Sequence, residues 1–223
     1  IILHLGGILL LIGGGLTAMF SSEGNMVIRE GNQSNYVEDY HYMELALINV
    51  TSSEFDDYII FDQPSLNRNK ILSHKKFNFE IEVVEYLENC QPEQRSSPAG
   101  IQYRGMLKNF MLTELISEKE DNWNRPGLIY QINNTGTRAD GMYGIFLGQS
   151  VSQTVSINDK DFTIILRRKR TYLPFSIELL DFKKILHPGT DIPKSYSSDI
   201  ILIENGVSRK ILIQMNEPLR HKG

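Results

Sequence analysis

The chain has 223 residues, of which 23 are basic and 27 acidic, and its formal net charge is −4 at pH 7. Hydrophobic residues make up 41% and charged residues 22%, a balance that is typical of globular proteins and excludes wholesale disorder. The mild acidity argues against nucleic acid as a main partner, and the single cysteine excludes an internal disulfide, a redox CxxC pair and a thiolate zinc site.

The first predicted element is an apolar helix over Ile1–Phe20, a stretch that contains no Asp, Glu, Lys or Arg. Twenty helical residues extend about 30 Å, which matches the hydrocarbon thickness of a bilayer. Small residues such as the Gly14 and Ala18 pair let neighbouring membrane helices approach closely. A secretory signal peptide is the alternative, but no basic residue precedes the run and Thr17-Ala18-Met19 is a poor cleavage site. We therefore predict a transmembrane helix over residues 1–22, truncated on its N-terminal side.

One imidazole, that of His4, lies within this apolar run. Burial in hydrocarbon favours the neutral form of the ring, which is a good metal ligand. Polar residues at membrane depth are candidates for function, so His4 is a candidate ligand. The alternative is a structural histidine that is hydrogen-bonded to a neighbouring helix or lies near the membrane interface. The residues alone leave both interpretations open.

After the helix, apolar and polar residues alternate with a period of two, the pattern of half-buried strands. The predicted strands are Tyr42–Val50, Tyr58–Phe61, Phe77–Val83, Val151–Ile157, Asp161–Leu166, Phe175–Phe182, Ile200–Ile203 and Ile211–Met215. Hairpin connections are predicted at Asn158-Asp159-Lys160 and at Glu204-Asn205-Gly206, because Asn-Gly supplies the positive φ angles of a tight turn.

Two stretches in the middle of the chain have weaker patterns. Residues 88–100 are polar, contain two prolines and predict a loop, whereas residues 104–120 favour a strand. The Ser21-Ser22-Glu23 segment after the helix lacks Lys and Arg, which favours the non-cytoplasmic side of a membrane. We predict a mainly β fold, in which residues 23–223 form an antiparallel sandwich or barrel-like extracytoplasmic domain, truncated at its C-terminal side.

The sequence contains no GxSxG, Walker, GxGxxG or HExxH motif, so it indicates no particular reaction. The other histidines, which are His41, His74, His187 and His221, stand beside charged or turn residues and are interpreted as surface residues. Cys90 has no flanking basic cluster that would activate its thiol and is interpreted as inert. The basic run Arg167–Arg170 could contact an anionic group or an acidic partner, but we favour a solvated strand end.

Both ends of the chain carry patterns of one known family. The opening segment contains His4-Leu5, the Gly13–Gly15 run, Glu23-Gly24 and Glu30-Gly31. The closing segment contains Leu180-Asp181-Phe182, Pro188-Gly189-Thr190, Pro193-Lys194-Ser195, Ser198-Asp199, Ile213, Asn216-Glu217-Pro218-Leu219 and Gly223. These patterns resemble the ResB/CcsB-like component of cytochrome c biogenesis system II. The residues after the first helix are most similar to versions fused to CcsA.

The resemblance implies a membrane subunit of the system II cytochrome c synthase complex, which aids heme delivery and heme attachment to apocytochrome c. It implies a multi-pass protein of the bacterial inner membrane, with the β domain on the periplasmic side. The implied partners are a CcsA-type heme-handling protein or fused domain, apocytochrome c, thiol-reducing proteins and the lipid bilayer.

The same resemblance implies a role for His4 as one axial ligand of the iron in a transported heme b. The CcsA part would supply the second ligand. No catalytic residue is assigned to this chain, which alone is not expected to catalyse heme attachment. The alternative is a non-heme structural adaptor that binds apocytochrome c or a thiol-reducing partner.

Overall fold

The computed structural model describes residues 2–20, 23–52 and 57–222. Ile1, Ser21, Ser22 and Gly223, on which parts of the predictions fall, lie outside the described residues. The first element is the helix α1 (Ile2–Phe20). The strands that follow are β1 (Gly24–Asn25), β2 (Gln33–Asn49), β3 (Asp57–Asp62), β4 (Ile71–Leu72), β5 (Glu80–Leu87), β6 (Cys90–Gln94), β7 (Phe110–Glu114), β8 (Gly127–Asn133), β9 (Gly141–Phe146), β10 (Gln153–Ile157), β11 (Lys160–Leu186), β12 (Pro193–Glu204) and β13 (Val207–Gln214).

The predicted N-terminal helix is confirmed as a helix, with no charged residue in its first or last turn. Across the described ranges, no helix is both long enough and apolar enough to cross a membrane. The assignment of α1 as a membrane span therefore stays a prediction.

The strands form three antiparallel sheets, which confirms the mainly β prediction. The largest sheet has the order β1-β2-β11-β12-β13, with β3 beside β2 and β10 beside β11. A four-stranded sheet has the order β4-β5-β8-β9, and β6 pairs with β7 alone. Two neighbouring pairs, β10 with β11 and β12 with β13, are joined by two-residue turns, as antiparallel strands allow.

The described residues pack into two compact units. The first unit contains residues 1–37 and 172–223, and the second contains residues 38–171. Within the second unit, apolar side chains from both larger sheets form one buried core. Its fully buried members include Leu45, Leu47, Ile81, Val83, Leu128, Tyr130, Ile132 and Ile164. The alternating strands β5 and β8 each direct one row of side chains into this core, as their period of two requires.

Both predicted hairpin turns are confirmed. Asn158 and Asp159 connect β10 to β11 with φ angles of 49° and 60°, and Asn205 and Gly206 connect β12 to β13 with φ angles of 49° and 77°. Two consecutive residues with positive φ define the tight turn whose twist matches that of the flanking strands.

The loop predicted over residues 88–100 is wrong in part, because Cys90–Gln94 forms β6 and pairs with Phe110–Glu114. The favoured strand over 104–120 is confirmed only at β7, and a 3-10 turn precedes it at Gly105–Lys108. Across the strands, Thr113 donates a hydrogen bond to Glu93 at 2.9 Å. Neither β6 nor β7 has the alternation of apolar and polar residues that predicts a strand.

Candidate functional site

The predicted heme ligand His4 lies in the first turn of α1, and its side chain is exposed. Gly7 lies three residues further on the same face of the helix. A Cβ atom placed on Gly7 would meet no atom within 4 Å, so this face is open beside the imidazole. A flat ligand could therefore approach the helix backbone next to His4.

The segment after the helix is joined to the closing part of the chain by three hydrogen bonds. The Gly31 N–H donates to the Leu179 carbonyl at 2.8 Å, and the Leu179 N–H donates to the Asn32 carbonyl at 3.1 Å. The Phe182 N–H donates to Glu30 Oε1 at 2.8 Å. Gly31 has a φ of 78°, a conformation that glycine adopts without strain. The two sequence blocks that resemble the family therefore meet in the first unit.

A charged cluster lies beside this junction, where β11 pairs with β12. The register places Asp181 opposite Asp199, with a bulge between Leu179 and Asp181. Lys183 Nζ lies 2.8 Å from Asp181 Oδ2 and 4.0 Å from Asp199 Oδ2, so it offsets the repulsion between two facing carboxylates. The hydrogen bond and charge of Asp181 raise the pKa of Lys183 above its ordinary value, so Lys183 stays cationic at neutral pH.

An aromatic pair stands on the other face of the same strands. The rings of Phe182 and Tyr196 are stacked, with centroids 6.0 Å apart and planes 20° apart. Both side chains are exposed, at 47% and 39% of their full surface. An exposed aromatic pair beside an ordered backbone junction is a surface on which another chain or a membrane interface can pack.

The end of the chain folds back onto the first unit. His221 Nε2 lies 3.2 Å from Glu204 Oε2, and its ring packs edge-on against Phe175 with centroids 4.8 Å apart. Lys222 Nζ also contacts Glu204, and its hydrogen bond and charge lower the pKa of that carboxyl group. The interpretation of His221 as a surface residue is therefore wrong: its side chain is mostly buried and holds the returning tail in place.

The basic run was expected to be a solvated strand end, and that interpretation is wrong. The run lies in the interior of the long strand β11, and each of its cations has a partner in the second unit. Arg167 pairs with Glu44 at 2.8 Å, Lys169 with Asp62 at 3.1 Å and Arg170 with Glu38 at 3.0 Å, while Arg168 donates to the Tyr40 carbonyl and to Asn122. These side chains stabilise the second unit rather than standing ready for an anionic ligand.

Cys90 begins β6 and is buried, which agrees with its interpretation as inert. Burial raises the pKa of the thiol to about 11, against a smaller opposite effect of Arg125. At neutral pH the sulfur is therefore protonated and a poor nucleophile.

A polar pocket in the second unit was not found by sequence reasoning. His41 pairs with Asp121 at its rim, and Tyr86 and Glu88 line it. Burial, with the charges of Glu88 and Asp121, raises the pKa of Tyr86 to about 12, so the phenol is a stable hydrogen-bond donor. No local motif could have revealed this pocket, because its residues come from separate elements. Within the described ranges, no group of three or more His, Cys, Asp or Glu residues is placed to hold a metal ion.

These features define a class of protein in which an apolar helix is followed by an antiparallel β module. The segment after the helix is hydrogen-bonded to β11, which pairs with β12. The ResB-like family model matches residues 132–223, which is less than half of the chain. This match confirms the resemblance and supports a ResB/CcsB-like protein. The ResB-like family is associated with cytochrome c biogenesis and is generally membrane-associated. No curated protein matches the chain.

Proposed function

We propose that this chain belongs to a membrane subunit of the system II cytochrome c synthase complex and aids heme delivery and heme attachment to apocytochrome c. The match of residues 132–223 to the ResB-like family carries the proposal. The hydrogen bond between Phe182 and Glu30 supports it, because this bond joins the closing segment to the opening segment that also resembles the family.

In this proposal α1 spans the bacterial inner membrane and His4 is an axial ligand to the iron of the transported heme b. The exposed imidazole supports the ligand role, since axial ligation needs a free imidazole nitrogen, and the small Gly7 leaves space for a planar macrocycle beside it. A CcsA-type partner or fused domain supplies the second ligand. Heme is the transported substrate here, and the chain orients it and supplies one imidazole ligand.

The β module lies on the periplasmic side in this proposal and acts as a scaffold for apocytochrome c and for thiol-reducing proteins. Its support is the network that fixes the segment after α1 to β11. Glu30, Gly31 and Asn32 are hydrogen-bonded to Leu179 and Phe182 of β11. A scaffold of this kind would offer the acceptor polypeptide an ordered surface.

The test uses the full-length parent protein purified with its CcsA-type partner. We expect His4→Ala to lower the heme content, measured as Soret absorbance per protein, and added imidazole to restore part of it. Leu5→Ala is the matched control, since it truncates the neighbouring apolar side chain and should leave the heme content unchanged. Equal Soret bands in the His4→Ala and wild-type complexes would overturn the ligand role.

A second candidate is a structural adaptor that does not touch heme. The internal pairing of the cations in Arg167–Arg170 favours it, because these groups are already engaged and are not available to heme propionates. The adaptor predicts that His4→Ala leaves heme content unchanged while cross-links between the β module and apocytochrome c persist. The heme-handling role predicts the loss of heme in the same preparation.

A further inference from the structure

Among the described strands, β13 is the last of the large sheet and pairs with one neighbour, β12. It pairs with β12 in continuous register over eight residue pairs, from Glu204↔Val207 to Ser197↔Gln214, without a bulge. It stands at the end of the sheet order, and most of its side chains are exposed. An edge strand of this kind presents unpaired backbone groups that can pair with another chain.

The register identifies which backbone groups face the open side. A two-residue turn makes Glu204 and Val207 a hydrogen-bonded pair, and bonding then alternates along the ladder. The N–H and C=O groups of Ser208, Lys210 and Leu212 therefore point away from β12. Gln214 is the next residue in this series, and its N–H donates outward to the Glu217 carbonyl at 3.4 Å, as the alternation requires.

The returning tail pairs with this edge at Gln214, which forms a bridge with Glu217, and among the described residues no backbone hydrogen bond joins the tail to residues 208–212. Further along, His221 of the tail packs against Phe175 of β11. Ile200 and Leu202 are buried, while Val207 and Leu212 on β13 are exposed at 61% and 50% of their surface. Among the described residues, the edge at 208–212 is therefore open to solvent.

The charges on β13 indicate the partner's chemistry. Arg209 and Lys210 lie directly opposite Leu202 and Ile201 on β12. Their diagonal acidic neighbours, Glu204 and Asp199, pair with other cations: Glu204 with His221 and Lys222, and Asp199 with Lys183. No ion pair between either cation and another described residue is present. A second copy paired antiparallel about residue 210 would place Lys210 opposite Lys210, which is destabilising. An acidic strand would place carboxylates opposite both cations.

We propose that the β13 edge binds an extended acidic polypeptide segment, which adds a strand to the sheet. The backbone of Ser208, Lys210 and Leu212 supplies the hydrogen bonds, and Arg209 and Lys210 select acidic side chains on the two faces of the added strand. This inference does not depend on heme handling, and its test contains no heme.

The test titrates the 223-residue chain in detergent with a short fluorescent peptide in which two adjacent glutamates, one for each face of the added strand, are flanked by valines, and follows anisotropy. We expect the glutamate peptide to bind at least about tenfold more tightly than the same peptide with lysine in place of glutamate. The combined Arg209→Glu and Lys210→Glu variant should reverse this preference. A glutamate peptide that is N-methylated at alternate residues should lose binding, because it cannot donate to the edge.

Residue-resolved hydrogen exchange supplies a readout that charge alone would not produce. The glutamate peptide should slow exchange at Ser208, Lys210 and Leu212 and leave Arg209 and Ile211 unchanged, since the last two already bond to β12. Equal binding of the acidic and basic peptides overturns the proposal. So does protection of the three outward amides before any peptide is added, either in this chain or in the full-length parent.

Discussion

The buried ion pair between Arg167 and Glu44 allows a quantitative test of how the second unit is stabilised. Arg167 Nε donates to Glu44 Oε1 at 2.8 Å, and the two side chains are only 9% and 4% exposed. Arg167→Met keeps the apolar stem and removes the charge, so Glu44 is left as a buried carboxylate. The Arg170 N–H still donates to Glu44 Oε2, at 3.3 Å. Removing one partner of a buried pair costs about 3–5 kcal/mol.

The assay is urea unfolding followed by the far-ultraviolet circular dichroism of the β-sheets. Lys169→Met is the matched control, because Lys169 lies two residues after Arg167 in the same strand. Its pair with Asp62 is 41% and 56% exposed, so its loss should cost less than about 1 kcal/mol. We expect the urea concentration at the unfolding midpoint of Arg167→Met to be well below that of Lys169→Met. The dependence of the unfolding free energy on urea should be similar for the two variants.

A third variant separates the ion pair from simple packing. When Glu44→Leu is combined with Arg167→Met, no charge is left unpaired, and most of the lost stability should return. Equal midpoints for Arg167→Met and Lys169→Met would refute the reasoning, because they would mean that water reaches Glu44 in the folded protein.

Three further predictions concern other parts of the chain. Gly127→Ala should destabilise the fold by about 1–3 kcal/mol in the same assay, because its new Cβ would lie 2.5 Å from the Cys90 sulfur. Cys90, whose pKa is raised to about 11, should react slowly with iodoacetamide at pH 8 in the folded protein and rapidly in urea. The pKa of Glu204 is lowered in the folded state, so its carboxylate stabilises the fold above its unfolded pKa of about 4.3, and this contribution is lost as pH falls through the folded pKa. Glu204→Gln should therefore lower the melting temperature at pH 7 and have a smaller effect near pH 3.

Each of these predictions has a control. Cys90→Ala removes the crowded sulfur, so Gly127→Ala should cost less in that background, and an unchanged cost would contradict the steric explanation. Equal labelling rates in folded and urea-unfolded protein would contradict the buried thiol. A Glu204→Gln effect that is the same at both pH values would show that the carboxylate charge is not what stabilises the returning tail.

Local chemistry explains which elements could be predicted from the sequence. The turns at Asn158-Asp159 and Asn205-Gly206 were predictable, because residues that tolerate positive φ stand between alternating strands. The β6 strand was not, since its sequence Cys90–Gln94 is mostly polar and lacks the alternation that predicts a strand, although it forms a five-pair ladder with β7. The helix was evident from its uncharged run alone.

The basic run shows why side-chain roles were harder to predict. Sequence spacing shows four adjacent cations, but the carboxylate of Glu44 that pairs with Arg167 lies 123 residues away. Only the fold brings such partners together. The same limit applies to Glu30, whose contact with Phe182 no local pattern contains, and to the pocket beside Tyr86. The ligand role of His4 stays a prediction, which rests on resemblance and on the presence of an imidazole in an uncharged helix.

The contact between Glu30 and Phe182 also bears on the order of events during translation, because the two residues are 152 positions apart. The ribosome completes all of residues 38–171 before it delivers the strand that holds the segment after α1. The inserted unit can therefore fold cotranslationally while the first unit still lacks its second half. Closure of the first unit is then a late, non-local step, governed by loop-closure entropy rather than by the helix that emerges first.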